Sequence, residues 1–183
     1  MNTVDPIKNT AHINRIKNAL HGRNKLLWIV GINSGLRISD ILALKVGDLR
    51  GQDNITITEG KTKKRKRFPL NAAIKKAVKE CVPAEVSADE YVFKSRKGVN
   101  KPIGRVQAYT VLNDAVERAG LTDKVGKIGT HTMRKTFGAK AYENGTDLAM
   151  LMRIFNHSSQ NETLKYIGIQ QRDIDEVYAN VCL

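Results

Sequence analysis

Apolar residues recur along this chain first at helical and then at strand spacing. Asn9 to Leu20 places Ile13, Ile16 and Leu20 on one side of a helix, and Asn24 to about Asn33 carries Leu26, Leu27, Trp28, Ile29 and Val30 on a second. The Ser34-Gly35 pair should stop that helix, because glycine adopts positive φ without a Cβ penalty. A short apolar helix through Ile38, Ile41, Leu42 and Leu44 then begins just after Arg37. The period next drops to two. Ile55 and Ile57 alternate with Thr56 and Thr58 over Asn54 to Glu59, and Arg67 to Leu70 is a second short strand. Asn71 is placed to cap a helix reaching Val82, with Ala72, Ile74, Ala77, Val78 and Cys81 as its apolar set.

Pro83 to Glu90 reads as a loop, Tyr91-Val92-Phe93 as a short buried run, and Ser95 to Gly104 as a basic loop. A long helix over about Arg105 to Ala119 has a stripe of Val106, Tyr109, Leu112, Val116 and Ala119, which predicts a core face including Tyr109. Thr130 is the expected N-cap of a helix to about Glu143, and Asp147 starts another that ends at Asn156. Tyr166 falls on a short helix, and Ile174, Val177, Tyr178 and Val181 mark residues 170–183 as an amphipathic tail. The whole reads as one mostly helical α+β domain, residues 1–183, with a small antiparallel sheet.

Charge narrows the partners. In 183 residues there are 31 Lys and Arg against 18 Asp and Glu, a net charge of +13, while the apolar fraction of 41% is ordinary. Such an excess predicts an anionic partner, with nucleic acid favoured over an acidic membrane. No apolar run approaches the roughly eighteen residues of a membrane span, and the polar stretch Met1 to Asn9 lacks the pattern of a signal peptide. Cys81 and Cys182 offer neither a disulfide framework nor zinc spacing, and are expected to be reduced thiols of a cytoplasmic protein. The excess is also concentrated. Six of the seven residues from Lys61 to Arg67 are basic and lie between the two strands, so Lys63, Lys64, Arg65 and Lys66 are expected on a cationic finger that contacts a nucleic-acid backbone or groove.

Candidate chemistry gathers near the C-terminus, where T-H-T-M-R places His131 and Arg134 three residues apart on one helix face. His157 follows in N-H-S-S, and Tyr166 comes nine residues later. A phenol with a free pKa of about 10 becomes a nucleophile only where its proton is taken and fixed cations hold the developing charge. Arginine's planar fork suits a phosphodiester. Each residue alone also has an ordinary use. Arg37 could pair with Asp40 at the surface, and the histidines could be satisfied structural groups.

Taken together, G-L-R-I-S-D at 35–40, G-K-T at 60–62, H-T-M-R at 131–134, N-H-S-S at 156–159 and Tyr166 resemble the tyrosine recombinase (phage integrase) catalytic domain over Val4 to Tyr166. The resemblance implies that Arg37 and Arg134 clamp the scissile phosphate and that Lys61 protonates the leaving 5′ oxygen, with Lys63 and Lys64 as competitors. It further implies that His131 assists proton transfer at the tyrosine, His157 hydrogen-bonds the phosphate, and Asp40 supports the site from behind. Tyr166 would attack phosphorus and leave a 3′-phosphotyrosyl bond; Tyr178 is the rival nucleophile, and its place on the tail stripe argues packing. No metal or other cofactor is implied, and no carboxylates cluster at metal-site spacing.

Asn156 stands where the family often has glycine, and the chain begins almost where the catalytic domain would, without the helical N-terminal DNA-binding domain of typical members. Expected partners are double-stranded DNA and further copies of the chain, four on DNA, with the tail packing on a neighbour or on its own domain. Three other activities share parts of this pattern: a type IB topoisomerase, a DNA-binding module that keeps the site without the activity, and a metal-dependent nuclease.

Overall fold

A computed structural model describes residues 4–182. Met1 to Thr3 of the polar N-terminal stretch and Leu183 of the tail lie outside it. The chain runs α1 (Thr10–Asn18), α2 (Gly22–Ser34), α3 (Ile38–Leu42), α4 (Val46–Leu49), β1 (Asn54–Thr58), β2 (Arg65–Pro69) and α5 (Ala72–Cys81). It continues through α6 (Arg105–Arg118), α7 (Thr122–Val125), α8 (Thr130–Glu143), α9 (Leu148–Phe155), α10 (Gln160–Tyr166) and α11 (Gln171–Asn180). Caps account for several of these ends. Asn9 accepts from the Ala11 and His12 amides, Asn71 from Ile74, and Asp147 from Ala149 and Met150. Gly35 (φ 60°) and Asn156 (φ 54°) close α2 and α9 in the left-handed conformation.

The central element is α2. Leu26 to Gly31 are all buried, so the helix is apolar around its whole circumference and must be enclosed. Helices α1, α3, α5, α6 and α8 pack around it and form the main core. A second, small core of Ala139, Leu151, Phe155 and Ile167 sits between α8, α9 and α10. Gly138 permits that junction, since a Cβ there would lie 2.6 Å from the Phe155 ring. The hairpin pairs Ile55 with Phe68, Ile57 with Lys66 and Thr58 with Arg65.

The structure differs from the sequence pattern in four places, and it also shows how the tail lies. β2 begins at Arg65, so half the basic run is strand rather than loop. Thr130 is the first residue of α8 and Gly129 the cap; Thr132 supplies the side-chain oxygen, accepting from the Gly129 amide at 3.1 Å. The buried face of α6 is Ala108, Leu112, Ala115, Val116 and Ala119, while Val106 is 80% and Tyr109 39% exposed. Alanines at a close helix contact are invisible to a stripe chosen by side-chain size. Helices α4 and α7 are each a single turn, too short to show a period. The tail forms α11 and is tied to its own domain by an Asp173–Lys8 ion pair at 3.4 Å, but none of its described residues is buried and Tyr178 is 81% exposed. Cys81 and Cys182 are free, and no described helix is long and apolar enough to cross a membrane.

Candidate active site

The left-handed turn at Gly35 reverses the chain and leaves Arg37 at the head of α3. Its Nη1 donates to Glu59 Oε2 at 2.7 Å, so its ion-pair partner is the residue just after β1 and not Asp40. Glu59 is wholly buried (0% exposed), and the same oxygen accepts from Thr62 Oγ1 at 2.6 Å and Asn156 Nδ2 at 2.9 Å. Burial would push this carboxyl up. Hydrogen bonds from Thr62 and Arg37, with the charges of Arg37 and Lys66, outweigh burial and hold it below its ordinary value. Asp40 is buried beside it and accepts from the Gly60 amide at 3.0 Å, tying the head of α3 to the start of the hairpin turn.

Arg134 lies one turn into α8 and is 3% exposed. One Nη donates to the Gly35 carbonyl and the other to the Phe155 carbonyl at 3.0 Å, while the guanidinium lies 4.7 Å above the Phe155 ring. It therefore bridges the turn before Arg37 and the end of α9. Among the described residues no carboxylate lies within ion-pair distance of it. Burial lowers its pKa, with the Tyr166 phenol opposing and Arg37 adding to the effect.

The end of α9 gathers the other groups. Asn156 turns the chain so that His157 packs edge-on against Tyr166, ring centroids 4.9 Å apart, and both rings contact Phe155. His157 Nδ1 shares a hydrogen bond with Thr163 Oγ1 at 3.0 Å. Burial lowers the His157 pKa, opposed by Glu162 and helped by Arg134 and Arg37. Tyr166 ends α10, half-buried; burial raises its pKa while Arg134 and then Arg37 act to lower it. His131, solvent-exposed on the first turn of α8, is lowered by what desolvation it has and then by Arg134, Lys135, Arg37 and Lys61.

Arg37, Arg134, His157 and Tyr166 thus converge, and His131 lies near enough to feel the charges of Arg134, Arg37 and Lys61. Lys61, Lys63, Lys64 and Arg65 are exposed on and beside the turn. Lys66 is different. It shares a strand face with Phe68, turns inward and donates to the Ile154 carbonyl at 3.0 Å. Burial first, then Arg134, lowers its pKa to about 8. Tyr178 projects from α11. Sequence reasoning missed Glu59, the inward turn of Lys66, the Asn156 amide and Lys135, whose ammonium lies 5.3 Å over the Tyr166 ring. Two signals were available: one acid beside a run of bases, and a lysine two residues before Phe68, hence on its face.

A profile of the phage integrase family matches residues 6–172. The chain belongs to the phage integrase family. It is a tyrosine recombinase by that membership, 43% identical over 174 residues to the probable integrase/recombinase YoeC of Bacillus subtilis strain 168, with 93% of each chain covered. It is 30% identical over 161 residues to tyrosine recombinase XerD of Corynebacterium glutamicum, where 85% of this chain matches 51% of that one. The chain thus spans nearly all of YoeC and about half of XerD. Among solved structures, XerA recombinase superposes with a TM-score of 0.77 at 18% identity, over 98% of this chain and 64% of that one. XerH bound to a palindromic difH substrate in a post-cleavage complex gives 0.72 at 21%, over 98% and 54%. Both likenesses show that this tyrosine recombinase has the fold of that family's catalytic domain.

Proposed function

We propose that this tyrosine recombinase cleaves and rejoins double-stranded DNA at a specific site, with Tyr166 as nucleophile and a 3′-phosphotyrosyl intermediate, and without a metal. The observation that carries the reading is Arg134. A buried guanidinium held by two carbonyls and a ring face has no carboxylate at ion-pair distance among the described residues, Glu59 acting on it only from farther off, and burying so poorly compensated a charge is expensive. A phosphodiester between Arg134 and the free edge of Arg37 would supply that charge and be stabilised more as negative charge builds up on its oxygens.

The remaining groups fit roles around that anion. The Tyr166 phenol, raised by burial, is protonated near neutrality and needs a base; His131, lowered and therefore neutral, can take its proton. The 3.0 Å bond to Thr163 is shorter than Thr163's own 3.3 Å bond to the Ser159 carbonyl. Donation from His157 Nε2 to the phosphate requires the Thr163 hydroxyl to turn from the Ser159 carbonyl and donate to Nδ1. Lys61 on the hairpin turn delivers a proton to the leaving oxygen, with Lys63 and Lys64 as competitors. Lys63, Lys64 and Arg65 hold the DNA backbone, and inward-facing Lys66 adds positive potential beneath it. Exchange between two duplexes uses four copies, and the exposed α11 stripe of Ile174, Val177, Tyr178 and Val181 is the surface for that association.

The test is capture of a covalent adduct on a denaturing gel from a pool of nicked duplexes with randomised sequence. Adduct should form with the unaltered protein and Tyr178→Phe and disappear with Tyr166→Phe. Binding without adduct anywhere in the pool would leave a DNA-binding module. Relaxation of supercoils without sequence preference would favour a topoisomerase, and activity abolished by a chelator a metal-dependent nuclease.

A further inference from the structure

We infer that Glu59 is the positioning residue that holds Arg37, the lysine-bearing turn and the His157 segment in one register; this rests on the cleavage reading above. Three segments distant along the chain donate to a single oxygen of this carboxylate: Arg37 Nη1 from the head of α3 at 2.7 Å, Thr62 Oγ1 from the turn at 2.6 Å, and Asn156 Nδ2 from the end of α9 at 2.9 Å. Its other oxygen, also buried, has no hydrogen-bond partner among the described residues, so the three donors meet at one atom.

The backbone of Glu59 fixes the same turn. Its amide donates to the Lys64 carbonyl at 3.0 Å and its carbonyl accepts from the Lys63 amide at 2.9 Å, with Lys63 in the left-handed conformation at φ 57°. Lys61 is therefore carried by a loop closed at Glu59 through both main chain and side chain. Asn156 supplies the opposite tie. A glycine would meet the left-handed requirement at that position equally well, but it has no amide to reach across 97 residues of sequence. Its neighbour in the chain is His157. Holding Arg37 by one Nη leaves the rest of its fork free for an anion and removes the rotamer freedom a long side chain would lose on binding.

The experiment measures DNA affinity and single-turnover adduct formation separately, on one nicked duplex selected from the randomised pool by the unaltered protein. Glu59→Ala should bind that duplex within about threefold of the unaltered protein and form adduct about a hundredfold more slowly at saturating protein, as expected for a small misplacement of reacting groups. Glu59→Gln, which keeps an acceptor oxygen, should recover most of the rate. Asn156→Gly, which keeps the turn, should be slowed severalfold, and Glu59→Ala combined with Asn156→Gly should be no slower than Glu59→Ala alone. Thermal unfolding of each variant corrects for any unfolded fraction. An unaltered rate in Glu59→Ala, a loss that matches reduced affinity or unfolded fraction, or fully additive variants would each overturn the positioning role. No adduct with the unaltered protein from the whole pool would instead overturn the cleavage reading, and the role with it.

Discussion

His131 and His157 both lie below the ordinary imidazole pKa, burial first and neighbouring cations after it, while burial holds the Tyr166 phenol above its own. The signs matter for catalysis near neutrality. A lowered His131 is neutral there, can accept a proton, and loses that ability only as pH falls through its depressed pKa. The single-turnover rate should therefore be flat just above neutrality and fall only below about pH 6.5, the free imidazole value. His131→Gln should abolish that acid limb and slow cleavage about 10²- to 10⁴-fold, the usual worth of a positioned base. A rate that falls already above pH 7 and is unchanged in its limb by His131→Gln would remove the residue from that role. Spacing made His131, Arg134, His157 and Tyr166 legible as one constellation. It could not identify the acid beside Arg37, because Asp40 is three residues away in sequence and Glu59 twenty-two.

Helix α9 is the element on which the site is assembled. Asp147 caps its start, Asn156 ends it, and in its last turn the Ile154 carbonyl accepts from Lys66 and the Phe155 carbonyl from Arg134. Its height over α8 is set by Gly138, where no Cβ separates the helix from the Phe155 ring. Gly138→Ala should push Phe155 away, with overpacking costing roughly 1–3 kcal/mol. For a domain of this size that lowers Tm by about 2–4 °C per kcal/mol, measured by thermal unfolding. The displaced ring also carries the Arg134 contact, so cleavage should fall by more than the unfolded fraction explains. The helix itself, its caps and its end were readable from Asp147, the apolar run and Asn156. The need for glycine at 138 was not, since it arises only when a second helix is laid across it.

At the scale of the whole molecule, a net charge of +13 governs how DNA is met. With about six phosphate contacts, log K for DNA should fall with log salt at a slope of about −5 in titrations followed by anisotropy. A slope near zero would mean that the basic surface does not lie on the backbone. The exposed face of α11 predicts a second behaviour. Val177→Glu should leave binding to a single site within a few-fold while reducing higher-order complexes on DNA in sedimentation, since a charge in an apolar contact opposes its burial. Unchanged complex size would remove α11 from the association surface.

By itself the order of residues determined the local features: helical and strand periods, the caps at Asn9, Asn71 and Asp147, the left-handed ends at Gly35 and Asn156, and the succession of motifs. These depend on backbone preferences and on neighbours within a turn or two, so a short window contains their causes. The tertiary structure alone decided that Arg37 pairs with Glu59, that Lys66 turns inward, that alanines join the buried face of α6, and that the apolar residues of α11 stay exposed. Each of these depends on the distance between segments far apart in the chain, and that distance exists only once α2 is enclosed and the second core has closed beneath α9.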